Sequence, residues 1–173
     1  MTLDQLNAAT PSDFSAVLAG IYEHSPWVPE TVVRQRPFAS IDALATALAA
    51  AVANADESAK LRLIRAHPQL AGKAAIAGEL TEASTREQRG AGLDRCTPQE
   101  YARLTQLNAA YQEKFEFPFI LAVAGHSRDS ILANLAARLS NERHLEYSEA
   151  LRQIDRIARL RLETLLGGVG AAS

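Results

Sequence analysis

The clearest periodicity in the chain lies towards its C-terminus. Between Glu142 and Leu166, Tyr147, Leu151, Ile154, Ile157, Ala158, Leu162 and Leu165 recur on one side of a helix with a turn of about 100° per residue. Arg152, Arg156 and Arg159 fall on the opposite, solvated side, and Gly167-Gly168 stops the element. The same spacing predicts a helix from Ser40 through Ala55, with Ile41, Leu44, Ala45, Leu48 and Val52 in register. Another runs from Ser58 to about Ala66 with Leu61, Leu63 and Ile64, and it must end near His67, because a residue before proline is pushed out of the α region. Ser12 or Asp13 is positioned to cap a helix reaching about Ala19, with Phe14, Val17, Leu18 and Ile21 on its apolar side. Tyr22 to Pro37 holds Pro26, Pro29 and Pro37, and reads as a loop with at most one turn.

Beyond His67 the pattern is choppier. Pro68 to Leu80 reads as turns plus a short helix, and Ser84 to about Ala91 as a further helix ended by Gly90 and Gly92. Thr97-Pro98-Gln99-Glu100 combines a capping threonine, proline at the first helical position and glutamate at the third, so a helix starts there and continues to Lys114. Phe117-Pro118-Phe119 leads into the apolar run Ile120 to Ala124, ended by Gly125. Ser127 or Asp129 caps the next helix, with Ile131, Leu132, Leu135 and Leu139 as its buried stripe. These elements predict an all-α fold: one domain over residues 1–173, a compact bundle of about eight helices, with residues 167–173 as a frayed tail.

Composition sharpens this. Alanine and leucine dominate the apolar residues, which favours helices over strands. The formal charge of -2 is spread along the chain, without the basic concentration that displaces counterions from nucleic acid. The single cysteine, Cys96, excludes an internal disulfide and a cysteine-rich zinc site. No histidine pair has metal-ligand spacing on a helix. The longest apolar stretch, Ala43 to Ala55, is too short to span a bilayer, and Met1-Thr2-Leu3-Asp4-Gln5 lacks the layout of a signal peptide. The expectation is a cytoplasmic protein with no metal, nucleic-acid or membrane partner.

Four features sit awkwardly with a purely structural reading. Arg161 falls near the centre of the apolar stripe of the last helix, where a guanidinium must snorkel out, pair with a carboxylate such as Glu87 or Glu146, or face an anionic ligand. Helix geometry does not separate the last two. His67 ends a helix, where the macrodipole favours imidazolium, and a rigid proline follows it; it serves either as a C-terminal cap or as a proton-transfer group. Ser84 with Glu87 three residues on has the form of a capping box, and a helix start of that kind also binds anions. Glu87 could then orient His67 or a substrate. Finally, the proline-broken entry to Ile120–Val123 is core by composition, yet it leaves backbone N–H groups able to read a flat polar heterocycle.

Taken in order, Ser25-Pro26-Trp27-Val28, Arg36-Pro37-Phe38, the His67 segment through Gly78, Ser84 to Leu93, Leu107-Asn108-Ala109-Ala110-Tyr111, Lys114 through Val123 and Ile154 through Leu162 closely resemble one family. It is the decarboxylase of 2-oxo-4-hydroxy-4-carboxy-5-ureidoimidazoline (OHCU), which acts after urate oxidase and hydroxyisourate hydrolase and yields S-allantoin. The resemblance implies that His67 is the catalytic acid/base, with Glu87 and Arg161 beside it in the chemistry. It further implies that Pro68, Ser84, Thr85, Arg86, Glu87, Gln88, Phe119, Ile120, Leu121, Ala122 and Val123 line the substrate site, while Arg161 binds an anionic substrate group. It also implies a helical homodimer that needs no cofactor. Two positions depart from the pattern: Gln69, where aspartate is expected, and Glu116, where glycine is expected. The chain does not end in Ser-Lys-Leu, the peroxisomal address of some animal relatives. The other readings of the same residues are a different cofactor-free proton-transfer enzyme built on His67 and Glu87, and a helical interaction module docking through Trp27.

Overall fold

The computed structural model describes residues 1–72 and 78–167. Among them are nine α-helices, two short 3₁₀ turns and no strand, so the all-α class holds. The short helix expected within residues 68–80 and most of the frayed tail fall on residues outside those described. Contacts divide the chain into two compact units, Met1–Ala66 with Asp155–Ser173, and His67–Ile154.

In the first unit the helices are α1 (Leu3–Ala8), α2 (Pro11–Leu18), α3 (Trp27–Val32), α4 (Ile41–Ala53) and α5 (Glu57–Ala66). Thr2 starts α1 through a capping box with Gln5, an element the hydrophobic pattern alone did not reveal. The cap of α2 is Thr10 rather than Ser12 or Asp13: its hydroxyl accepts from the Asp13 amide at 3.1 Å, and Pro11 takes the first helical position. The stretch expected as a loop contains α3 because its prolines fall where they are tolerated. Pro26 is the N-cap and Pro29 lies in the first turn, where the missing N–H has no helical acceptor to lose. Arg36 then ties the following chain back: it donates to Val33 O at 2.8 Å and to the carbonyls of Asn7 and Ala9, and stacks over the Phe14 ring at 5.0 Å. The side-chain amide of Asn7 exchanges two hydrogen bonds with the Phe38 backbone, at 2.8 and 2.9 Å. Leu6, Phe14, Leu18, Val28, Leu44 and Leu48 are fully buried in this unit.

The second unit contains α6 (Glu82–Gly90), α7 (Pro98–Phe115) and α8 (Arg128–Arg138). Thr97 starts α7 with a full capping box to Glu100, and Ser127 starts α8, both as expected. Here the core is aromatic: Tyr111, Phe115, Phe117 and Phe119 are at most 1% exposed, with Tyr111 4.5 Å from Phe115 and 5.3 Å edge-on from Phe119. The last helix, α9 (Arg143–Leu166), belongs to the second unit up to Ile154 and to the first from Asp155.

Candidate functional site

His67 follows the last residue of α5 and is 7% exposed. The residues after it form a tight, strained turn. Ala71 has φ of 48°, in the left-handed region that costs a non-glycine residue about 1–3 kcal/mol and persists only where its surroundings impose it. Gly72 must be glycine, because a Cβ there would stand 2.8 Å from the Gln69 Cβ.

Two buried amides impose the turn. Gln88 accepts from the Ala71 N–H at 2.9 Å and donates to Gln69 O at 3.4 Å, while Asn108 donates to Leu70 O at 2.9 Å. The structure therefore gives Gln88, expected to read substrate, the work of holding the backbone beside His67 and Pro68. Asn108 is 5% exposed, and its Oδ1 has no hydrogen-bond partner among the described residues.

Gln88 is delivered by α6, and here one expectation is corrected. Ser84 is not the cap of this helix. Thr81 is, accepting from the Ser84 amide at 3.2 Å, which puts Ser84 in the first turn and ends its capping-box pairing with Glu87. Both Thr81 and Ser84 can cap in principle, and the chain enters the helix at the earlier of them. Ser84 and Gln88 then share the buried side of α6, at 3% and 6% exposed, with Glu87 half-buried next to them. Thr85 is half-buried as well, whereas Arg86 is turned to solvent.

Residues 119–123 lie outside any helix or strand and are each at most 5% exposed. Their backbone is gripped by side chains that sequence reasoning missed. Arg138, in the last turn of α8, donates to Ile120 O at 2.8 Å and lies 4.5 Å over the Phe119 ring. The same guanidinium meets Glu146 through Nε and Nη2, at 2.8 Å for the shorter contact. Glu146, fully buried, also accepts from the Tyr111 hydroxyl and from Asn141 at 2.7 Å. Burial, and then the Glu146 contact, drive the Tyr111 phenol well above its usual range. Gln153 accepts from the Ala122 N–H at 2.9 Å and donates to Glu149 at 2.7 Å. Burial opposes the charge on Glu149, but hydrogen bonds from Arg152 and Gln153 outweigh it and hold the carboxyl below its ordinary value.

In the first unit, Arg161 is buried, as its place on the apolar stripe required, and among its contacts is a carboxylate that sequence reasoning did not single out. It is Glu23, met through Nη2 at 2.9 Å, while Nη1 donates to Gly20 O at 3.2 Å and Ile21 O at 3.4 Å. The two side chains are 6% and 2% exposed. Ser25 steadies the same turn by donating to Glu23 O at 3.0 Å. Among the described residues no group of three or more His, Cys, Asp or Glu side chains is placed to hold a metal ion, and no helix is long and apolar enough to cross a membrane.

Comparison with known proteins places these features in context. The sequence model of the OHCU decarboxylase family matches residues 7–163. An OHCU decarboxylase of Halalkalicoccus jeotgali is 39% identical over 95% of this chain and 92% of its own length, and that of Mus musculus is 36% identical over 96% and 94%. The uric acid degradation bifunctional protein PucL of Bacillus subtilis is 39% identical over 95% of this chain, which corresponds to 33% of that longer protein. Among solved structures, an (S)-allantoin synthase superposes with a TM-score of 0.78 at 30% identity, over 96% of this chain and 54% of the other. With a matching model across most of its length and relatives of nearly the same extent, the chain belongs to the OHCU decarboxylase family.

Proposed function

We propose that this protein decarboxylates OHCU to S-allantoin in urate degradation, without a cofactor, as a cytoplasmic homodimer that binds no nucleic acid. The observation that carries the activity is family membership along residues 7–163, together with relatives named for this reaction at up to 39% identity. The buried His67, set beside a turn whose backbone is fixed from two sides, suits the chemistry.

The substrate bears a carboxylate and a hydroxyl on one ring carbon, next to a C=N bond. When the C–C bond to the carboxylate breaks, its electron pair flows into the conjugated ring and CO₂ leaves. The pair forms a double bond to the neighbouring ring carbon as the C=N electrons move to nitrogen, which takes up a proton. The enol so formed then loses its hydroxyl proton to become the ring carbonyl, while that neighbouring, ureido-bearing carbon is protonated. Because the ring is its own electron sink, the reaction does not require a pyridoxal-type group. The protein has to hold the carboxylate out of the ring plane, stabilise the charge that moves, and deliver the proton to one face.

In this reading His67 transfers the proton, a role worth about 10²–10⁴-fold, and Glu87 orients it or the substrate. Arg161 receives an anionic substrate group, its charge tempered by Glu23 so that the reacting carboxylate is not held more tightly in the ground state than in the transition state. Pro68, Ser84, Thr85, Arg86 and Gln88, together with residues 119–123, contact the ureido and ring atoms. One-face proton delivery makes the product a single enantiomer.

The test is to supply freshly generated OHCU and follow allantoin by circular dichroism against spontaneous decay. The wild-type protein is expected to give one-handed product rapidly. His67→Asn should keep its far-ultraviolet spectrum and lose at least 100-fold of the enzymatic rate. Undiminished activity in His67→Asn would sink the assignment of the proton-transfer group, and an inert wild type would sink the reaction itself. Gel filtration with light scattering checks the dimer.

A further inference from the structure

The two groups that grip residues 119–123 take alternate peptide units. Arg138 holds the Ile120 carbonyl and Gln153 the Ala122 amide, 2.8 and 2.9 Å away. Leu121, between them and 5% exposed, makes no hydrogen bond to the described residues through either its N–H or its carbonyl. Buried backbone groups are nearly always satisfied, so a peptide left open between two that are firmly held is poised for a ligand.

The amide of Gln153 cannot be turned around without loss. Its oxygen faces a backbone N–H and its nitrogen a carboxylate, Glu149, so either contact alone fixes the same orientation. Glu149 is itself held by Arg152 through two contacts of 2.8 Å. A chain of polar contacts therefore runs along one side of α9 from the Arg152 guanidinium to the Ala122 amide. Nothing in core packing calls for this: a methionine of similar length would fill the space occupied by Gln153, which is 5% exposed.

We propose that Gln153 is a positioning residue for substrate recognition, fixing the peptide at Ala122 so that the open groups of Leu121 face the planar polar ring of the substrate. The inference rests on the activity proposed above. It assigns Gln153 no contact with the reacting atoms. The ring is bound through backbone groups equally before and during bond breaking, so loss of Gln153 weakens binding without slowing chemistry.

The experiment compares Gln153→Met with the exchange Glu149→Gln/Gln153→Glu in the full-length protein. The exchange keeps an acceptor for Ala122 at position 153 and lets position 149 donate to it. Each variant is checked for wild-type far-ultraviolet circular dichroism, and the exchange rate of the Ala122 amide proton is measured. Gln153→Met is expected to raise KM for OHCU at least tenfold with kcat within about threefold of wild type, and to expose the Ala122 amide to exchange. The charge-exchanged variant should return KM to within about threefold and restore the protection. An unchanged KM in folded Gln153→Met, or a folded exchange variant with protected Ala122 and a raised KM, overturns the proposal. If Gln153→Met does not fold, the exchange variant decides alone: wild-type KM supports the proposal and a raised KM overturns it. A wild-type protein inert towards OHCU would instead strike the underlying activity, so the two failures are told apart.

Discussion

Arg138 and Arg161 each bury a guanidinium against a glutamate, at 9% and 6% side-chain exposure, yet their surroundings differ in kind. Arg138 grips Glu146 through two nitrogens, and Glu146 is further committed to Tyr111 and Asn141. Each partner there is a side chain or carbonyl of the second unit. Arg161 meets Glu23 through Nη2 and spends Nη1 on two carbonyls of the turn that precedes that glutamate. The first arrangement fits a guanidinium chosen for its fork, joining one loop to one helix end. The second ties a guanidinium to the same stretch of backbone that carries its carboxylate, and it is the arrangement to which the anion-receiving role is proposed. Burial of an ion pair therefore says little about what else its guanidinium holds.

The largest effect should come from breaking the first pair. Arg138→Met strands Glu146 in the core and is expected to cost about 3–5 kcal/mol in chemical denaturation, while the double change Arg138→Met/Glu146→Leu should recover much of that. A single substitution costing under about 1 kcal/mol would mean that the network contributes no more than a surface pair. Arg161→Lys keeps the charge and loses the planar fork. Here kcat/KM for OHCU should fall about 10–100-fold, roughly 1.4–2.7 kcal/mol of transition-state binding, with the unfolding midpoint little changed. If Arg161→Lys unfolds readily but turns over normally when folded, the two pairs are alike after all and the comparison fails.

A third carboxylate gives the smallest effect and the sharpest control. Asp155, on α9, has a hydroxyl for a partner, accepting from Tyr22 at 3.2 Å. Burial raises its carboxyl above the ordinary value, and the Tyr22 hydrogen bond only partly offsets this. The folded state then binds the proton more tightly than the unfolded state does. Stability contributed by protonated Asp155 is present below the unfolded value and is lost as pH rises through the folded one. Asp155→Asn should flatten that slope and gain roughly 0.5 kcal/mol at neutral pH, seen as a small rise in Tm. An unaltered pH profile would show that a hydroxyl partner suffices as well as a guanidinium.

The starts of α7 and α8 were legible because capping is local: Thr97, Pro98 and Glu100 state the helix start within four consecutive positions. Thr10 and Thr81 were missed for a related reason, since nearby Ser12, Asp13 and Ser84 are chemically equivalent candidates and only the path of the entering chain selects among them. The burial of Arg161 could be read from one helix face. Its contact with Glu23 could not, because that residue lies 138 positions earlier and no periodicity links the two. Arg138 looked like an ordinary cation closing a helix, where the dipole welcomes it, so nothing local set it apart from the exposed arginines. Gln88 and Gln153 were invisible as braces because an amide announces neither its partner nor its direction until the backbone it holds is in place.

Glu116, noted as a departure from the family pattern, closes α7 in the left-handed conformation with φ of 64°. Glycine takes that conformation freely, whereas a residue with a Cβ gives up about 1 kcal/mol to adopt it. The exposed contact to Arg143, 3.6 Å away, is too loose to return much of this. The fold therefore carries, at this helix end, a residue that the local backbone disfavours, and glycine in its place should relieve about that much strain.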